Sequence, residues 1–312
     1  MKRDEETKER SVRRVLPVLS IAVLWPLAIS WAQLQPPNGV GVTLGHFHTV
    51  VRDVAATKRF WTSLGGSAIT VDGTDVMKFP GVFIFLTKGE PSGGSYGSVV
   101  NHVGFMVPND EEAIAKWKAE GVTAEYLPSA YVPTVKLGYA YTPDDLKIRF
   151  NRDKSMTAPI GSPLIMLWVS KAAVPEVAAW YVKFFGAKQG QPINNGVSVL
   201  GIPGLRLSVV SSIEDPISRT PPAVGLVRGA PPDSAFMEKL FKTNLGVPTK
   251  GRTLDHIGFE VDNLEALCKK LEASGVKFEE PDSKSRHKSF ASARFTDPWG
   301  VSVELTEGLK RF

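Results

Sequence analysis

Asn101-His102-Val103-Gly104-Phe105-Met106-Val107 recurs 154 residues later as Asp255-His256-Ile257-Gly258-Phe259-Glu260-Val261. The register holds without a gap through a helical stretch to Glu120-Gly121-Val122 and Ser274-Gly275-Val276. Apolar residues alternate behind the histidine and then give way to a helical period that stops at glycine, so each copy reads as a strand followed by a helix. A histidine placed alike in two copies of one unit points to a site built by pairing the units.

Working outward, four such units emerge. The first opens at Leu44-Gly45-His46-Phe47-His48-Thr49-Val50-Val51-Arg52-Asp53, continues in a helix carrying Phe60-Trp61 that ends near Leu64-Gly65-Gly66, and closes with Val82-Phe83-Ile84-Phe85-Leu86. The second runs from His102 through a helix over 110–120 to Lys147-Ile148-Arg149-Phe150. The third opens at Leu164-Ile165-Met166-Leu167-Trp168-Val169, holds Trp180-Tyr181 and Phe184-Phe185-Gly186 in its helix, and closes with Leu205-Arg206-Leu207-Ser208-Val209-Val210. A proline-rich loop, 216–232, and a helix over 234–243 precede the fourth, which runs from His256 to Val301-Ser302-Val303-Glu304-Leu305. The polar stretch 151–162, with Pro159 and Gly161, reads as a domain boundary. It divides the chain into a first domain of two units, 43–155, and a second, 156–312, preceded by a Pro/Gly spacer, 33–42.

With 312 residues, 43% of them apolar, there is room for two ordinary domains with real cores. The net charge is +5, and +2 of it resides in the first fourteen residues. The remainder is too balanced for a nucleic-acid footprint, and no basic run is interleaved with aromatics. The single cysteine, Cys268, excludes an intramolecular disulfide and is expected to be a buried structural thiol. Residues 1–32 read as a signal peptide: a charged start ending at Arg13-Arg14, an apolar stretch broken by Pro17 and Pro26, then Ser30-Trp31-Ala32 before Gln33. The apolar stretch is short of the ~20 residues that span a membrane. Arg13-Arg14 weakly resembles a twin-arginine export signal. The expected location is periplasmic or secreted, without membrane attachment after cleavage; an uncleaved anchor is the alternative.

Three phrases carry a family resemblance: the opening strand with aspartate seven residues after histidine (His46 to Asp53), the helix end Phe60-Trp61 with Leu64-Gly65, and Phe295-Thr296-Asp297-Pro298-Trp299-Gly300-Val301-Ser302-Val303-Glu304-Leu305. The last is similar to the Asp-Pro-x-Gly turn that leads into a glutamate-bearing strand in the vicinal oxygen chelate superfamily. That superfamily includes glyoxalase I, extradiol dioxygenases and the fosfomycin and bleomycin resistance proteins. The match covers roughly 43–308. It implies an α+β fold of four βαβββ modules paired into two cup-shaped mixed sheets. It does not fix the reaction, because the fold hosts lyases, isomerases, oxygenases and plain binders.

In that superfamily a module can give one metal ligand from its first strand and one from its last. Carried over position by position, the first unit supplies His46, with Phe85 at the closing position. The second supplies His102, with Arg149 where a glutamate is expected. The third looks blank, with Leu164 and a residue near Ser208. The fourth is complete, with His256 and Glu304. If neighbouring units pair, no cup reaches three ligands. If outer pairs with outer and inner with inner, His46, His256 and Glu304 form one set, and the inner cup keeps His102 beside Arg149. The outer pairing is favoured, since it alone completes a set.

Two imidazoles and a carboxylate imply one divalent metal ion, Zn, Ni, Mn, Co or Fe(II), with open positions for two substrate oxygens. The resemblance then implies a metal-dependent lyase, isomerase or dioxygenase acting on a small molecule with adjacent oxygens, Glu304 being both ligand and catalytic group. Glu304 could instead pair with a neighbour such as Arg294. His48 shares the strand face of His46 and is an alternative ligand or supporting group. Arg149 can hold a substrate carboxylate through its planar fork, with His102 beside it. His287, in a polar loop, is a candidate acid/base. Trp61, Trp117, Trp180 and Tyr181 are expected in the core, and Gly93-Gly94-Ser95-Tyr96-Gly97 in a surface loop rather than a phosphate loop. Two blank units and Arg149 keep a second reading open, a metal-free binding protein of the bleomycin-resistance type. Four units can close their own cups, so a monomer or a homodimer is expected.

Overall fold

The computed structural model describes residues 34–95, 97–128, 136–190, 196–211, 246–280 and 287–312. The expected signal peptide, the proline-rich loop and the helix over 234–243 lie outside the described residues. No described helix is long and apolar enough to cross a membrane.

Each unit is βαβββ. The first comprises β1 (Val42–Val51), α1 (Val54–Ser63), β2 (Ser67–Val71), β3 (Thr74–Phe79) and β4 (Val82–Lys88). The second comprises β5 (Val100–Val107), α2 (Asp110–Ala119), β6 (Ala124–Pro128), β7 (Lys136–Tyr141) and β8 (Lys147–Arg152). The third comprises β9 (Gly161–Val169), α3 (Ala173–Phe185), β10 (Lys188–Gln189), β11 (Val197–Ile202) and β12 (Leu205–Ser211). The fourth comprises β13 (Leu254–Val261), α4 (Leu264–Glu272), β14 (Phe278–Glu280), β15 (Ala291–Thr296) and β16 (Ser302–Glu307).

Within every unit the first strand pairs parallel with the last. Units then join through antiparallel contact of their first strands, β1 with β13 and β5 with β9. The result is two eight-stranded mixed sheets, β14-β15-β16-β13-β1-β4-β3-β2 and β10-β11-β12-β9-β5-β8-β7-β6. The outer units therefore share one sheet and the inner units the other. A division of the chain at 155/156 does not coincide with the division between the sheets. The connection at 153–160 joins β8 to β9 inside the inner sheet, whereas the outer sheet is assembled from both ends of the chain. Polar composition with Pro and Gly marked a loop there, and a loop need not separate domains.

The seven-residue spacing after the histidine has a local cause. Asp53, Asn109 and Asn263 sit at the N-caps of α1, α2 and α4, in extended conformation, with their side chains accepting N–H groups of the first turn. Each cap is worth about 1 kcal/mol and sets where strand becomes helix. The third unit has Ala172 there and no side-chain cap of that kind.

Helices cover one face of each sheet, and those faces share one core. Trp61 of α1 meets Phe79 of its own sheet and Phe105 of the inner sheet edge-on. Phe185 of α3 lies 4.6 Å, ring to ring, from Phe259 of the outer sheet. Trp61, Trp117 and Tyr181 are buried as expected, and Trp180 packs partly buried against the same core. Cys268 is only partly buried, at the rim of the face that α4 buries with Leu264, Leu267 and Leu271, which corrects the expectation of a buried thiol. The sheets are also tied by Asp297 of the Asp-Pro-Trp-Gly turn. Its carboxylate accepts the N–H groups of Trp299 and Val301 and the hydroxyl of Tyr181 on α3 at 3.0 Å. Burial raises this carboxyl to about 6 despite those donors.

Candidate metal centre

With the helical faces turned to the shared core, the helix-free faces carry the sites. Strand alternation decides what stands there. On β13, Ile257, Phe259 and Val261 enter the core, leaving His256, Gly258 and Glu260 on the other face. The strand register confirms the equivalence of the four units. His46 pairs with Gly258 and His48 with His256, while His102 pairs with Met166 and Gly104 with Leu164. Next door, His48 faces Phe85, Gly104 faces Arg149, Met166 faces Ser208 and Gly258 faces Glu304. Phe85, Arg149, Ser208 and Glu304 thus hold one position in four copies, and only Glu304 can ligate a metal as a carboxylate.

His46, His256 and Glu304 come together. The Nε2 atoms of His46 and His256 lie 2.9 and 3.2 Å from Glu304 Oε2, and all three residues are buried. Asp255 fixes the chemistry of His256: Nδ1–H donates to Asp255 Oδ1 at 2.6 Å, which leaves the Nε2 lone pair pointing inward. Nε2 and a carboxylate oxygen then face each other as two acceptors, an arrangement that a cation between them resolves. Neither ring nitrogen of His46 has hydrogen-bond geometry to any partner among the described residues, the 2.9 Å approach included. Burial in these surroundings lowers the His46 pKa, with Glu304 opposing and His256 and Arg294 assisting, so His46 is held neutral, the form a metal requires. Glu304 is held ionised: burial alone would raise its pKa, but the His256 and His46 imidazoles against it take it well below the carboxylate range. Orphaned buried nitrogen atoms and a matched ionised carboxylate fit a divalent ion.

His48 extends the set. Its ring stacks on His256 at 4.4 Å, its Nε2 bonds Thr87 Oγ1 at 2.8 Å, and burial takes its pKa well below the usual value. Nitrogen atoms of His46, His48 and His256 all lie within 4.8 Å of one another. Arg294 of β15 is the discordant member. Its Nη2 is 3.3 Å from His256 Nε2 and 3.7 Å from Glu304 Oε1, and its Nη1 is 3.8 Å from Asp255. The guanidinium thus leans on the same lone pair that a metal would take.

The remaining candidates lie elsewhere. His102 and Arg149 stand on the inner sheet, not beside the triad, because β5 pairs with β9 rather than β1. They share the inner cup, as the outer pairing of units requires. His287 stacks on Phe290 at 4.0 Å, and Phe290 leads to Phe85 and so to His46. His287 is thus two aromatic rings removed from the triad, with Asp72 as an electrostatic neighbour. Sequence reasoning missed Asp255 and Lys147. For the first the signal was present: Asp255-His256 and Asn101-His102 are matching dipeptides, and Asn101 Oδ1 bonds His102 Nδ1 at 2.7 Å in the same way.

Comparison with known proteins agrees with this architecture. Residues 166–305 match the family model of the Glyoxalase/Bleomycin resistance protein/Dioxygenase superfamily. No curated protein matches the sequence. Among solved structures, glyoxalase I from Zea mays is similar with a TM-score of 0.59 at 15% identity, covering 86% of this chain and 94% of that one. A candidate dioxygenase from Bacillus subtilis is similar with a TM-score of 0.55 at 12% identity, covering 89% and 86%. At these identities the structures speak for the fold alone.

Proposed function

We propose that this chain, whose residues 166–305 match the family model of the Glyoxalase/Bleomycin resistance protein/Dioxygenase superfamily, belongs to that superfamily and is a divalent-metal enzyme acting on a small molecule with adjacent oxygens. The observation that carries this reading is the convergence of His46 Nε2 and His256 Nε2 on one oxygen of Glu304. His46, His256 and Glu304 would hold the ion, with His48 within reach as a further ligand. When bound, such an ion supplies Lewis-acid stabilisation of negative charge developing on substrate oxygen. Asp255 keeps the His256 proton on Nδ1, and Arg294 places positive charge beside Glu304. The reaction class is lyase, isomerase or dioxygenase. Export to the periplasm or the exterior is part of the proposal, supported by the charged-then-apolar sequence of 1–32.

The test is conversion of a panel of catechols and α-hydroxycarbonyl compounds by metal-loaded chain, with Glu304→Ala as control. Conversion that chelation stops and one metal restores supports the enzyme. A second reading, a metal-free binding protein, is favoured by one observation: Arg294 Nη2 already donates toward His256 Nε2. Ligand binding that survives chelation, with no conversion, would support that reading.

A further inference from the structure

The two helix-free faces carry opposite charge at equivalent positions. Where the outer sheet has Glu304 opposite Gly258, the inner sheet has Arg149 opposite Gly104. On β8, Ile148 and Phe150 enter the core, so Lys147 and Arg149 stand on the helix-free face. On β12, Leu205 and Leu207 enter the core and Arg206 stands opposite them. Glu125 also stands on this face, where its Oε1 accepts from Tyr141 Oη at 2.7 Å. His102 adds an imidazole that is 2% exposed, with Nδ1 held by Asn101 and with Nε2 lacking any hydrogen-bond partner among the described residues.

These groups converge. Tyr139 pairs with Arg149 in the strand register, takes the His102 ring edge-on at 6.0 Å, and carries Lys147 Nζ 4.0 Å above its ring centre. The other half of the face is apolar: Met166, Val197 and Val210 cluster there with Trp168, whose buried indole N–H has no acceptor among the described residues. A planar fork and a point cation beside an apolar wall match a carboxylate carried on an apolar body.

We propose that the helix-free face of the inner sheet is a second, metal-free binding site that takes small organic carboxylates, with the carboxylate on Arg149 and Lys147 and the apolar body between Tyr139 and Met166. Burial lowers the Lys147 pKa to about 8, with Glu125 opposing and Arg149 assisting, so the ammonium is costly until an anion compensates it. His102 is held neutral by burial and by Arg149 and Lys147, and with Nδ1–H given to Asn101 Oδ1 its Nε2 is left as an acceptor for a hydroxyl or amide N–H on the ligand body.

The experiment is calorimetric titration of the full chain with benzoate as probe, against benzamide and inorganic phosphate at millimolar concentration. Benzoate is expected to bind saturably and the other two not. Arg149→Met is expected to weaken benzoate roughly tenfold or more, with Arg149→Lys, which keeps the charge and loses the fork, in between. His46→Ala, on the outer sheet, is expected to leave benzoate affinity unchanged. The proposal is overturned if benzoate does not bind, if phosphate or benzamide binds equally, if neither Arg149 variant changes the affinity, or if His46→Ala abolishes binding. Because no metal enters this test, its failure is separable from failure of the metal centre.

Discussion

The imidazole of His46 occupies the space above Gly258, its partner across the β1–β13 pairing, where a β-carbon on residue 258 would overlap the ring. The glycine is therefore part of the proposed metal centre, although it offers no ligand. Gly258→Ala is expected to fold, since the methyl would enter the helix-free face rather than the core, but to push His46 away from Glu304. Divalent-metal affinity measured by calorimetry should fall by about a hundredfold. Unchanged affinity would show that His46 is not a ligand.

Asp255 holds His256 in the tautomer whose Nε2 faces Glu304. Asp255→Asn retains an acceptor oxygen but loses the charge. Metal affinity should drop about 10–100-fold, the usual effect of losing an outer partner of a ligating histidine. If competition with a chromogenic chelator gives the wild-type value, Asp255 only packs.

Arg294 Nη2 lies 3.3 Å from His256 Nε2, where it would compete with a bound cation. Arg294→Met should tighten metal binding by about tenfold through removal of a nearby like charge. Weaker binding in this variant would mean instead that Arg294 is needed to position Glu304.

The Asp297 carboxyl stands at about 6 in the folded chain against an ordinary 3.8, chiefly through burial. The folded chain thus keeps a proton that the unfolded chain releases between those values. This group's contribution to stability is greatest below about pH 4, declines as pH rises toward 6, and is flat above; the span is about 3 kcal/mol. Asp297→Asn can keep the turn and the bond to Tyr181 and should lose that slope. Urea unfolding of both chains between pH 4 and 7 measures it, and parallel profiles would contradict the assignment.

Much of this was legible in sequence, for physical reasons. A strand shows its alternate residues to one face, so the equivalence of Phe85, Arg149, Ser208 and Glu304 could be read by counting from each histidine and each closing strand. The capping residues Asp53, Asn109 and Asn263 fixed the strand-to-helix step in three units. Which first strands meet is a different matter. β1 has a free edge that could pair with β5 or β13, and nothing local to either strand chooses; only the tally of ligands favoured the outer arrangement. Gly258 escaped notice because its role arises from the His46 ring that crosses over it. Cys268 was misjudged because a helix face that is apolar along its centre can be half-exposed at its margin.

The central claim is that pairing of the outer units builds one metal centre and that the inner sheet builds none. Metal content per chain by elemental analysis, after loading and desalting, tests it most directly in wild type, His46→Ala, Glu304→Ala and His102→Ala. The account predicts about one equivalent in the wild type and in His102→Ala, and little in the other two. No metal in the wild type, or equal loss in His102→Ala, would contradict it.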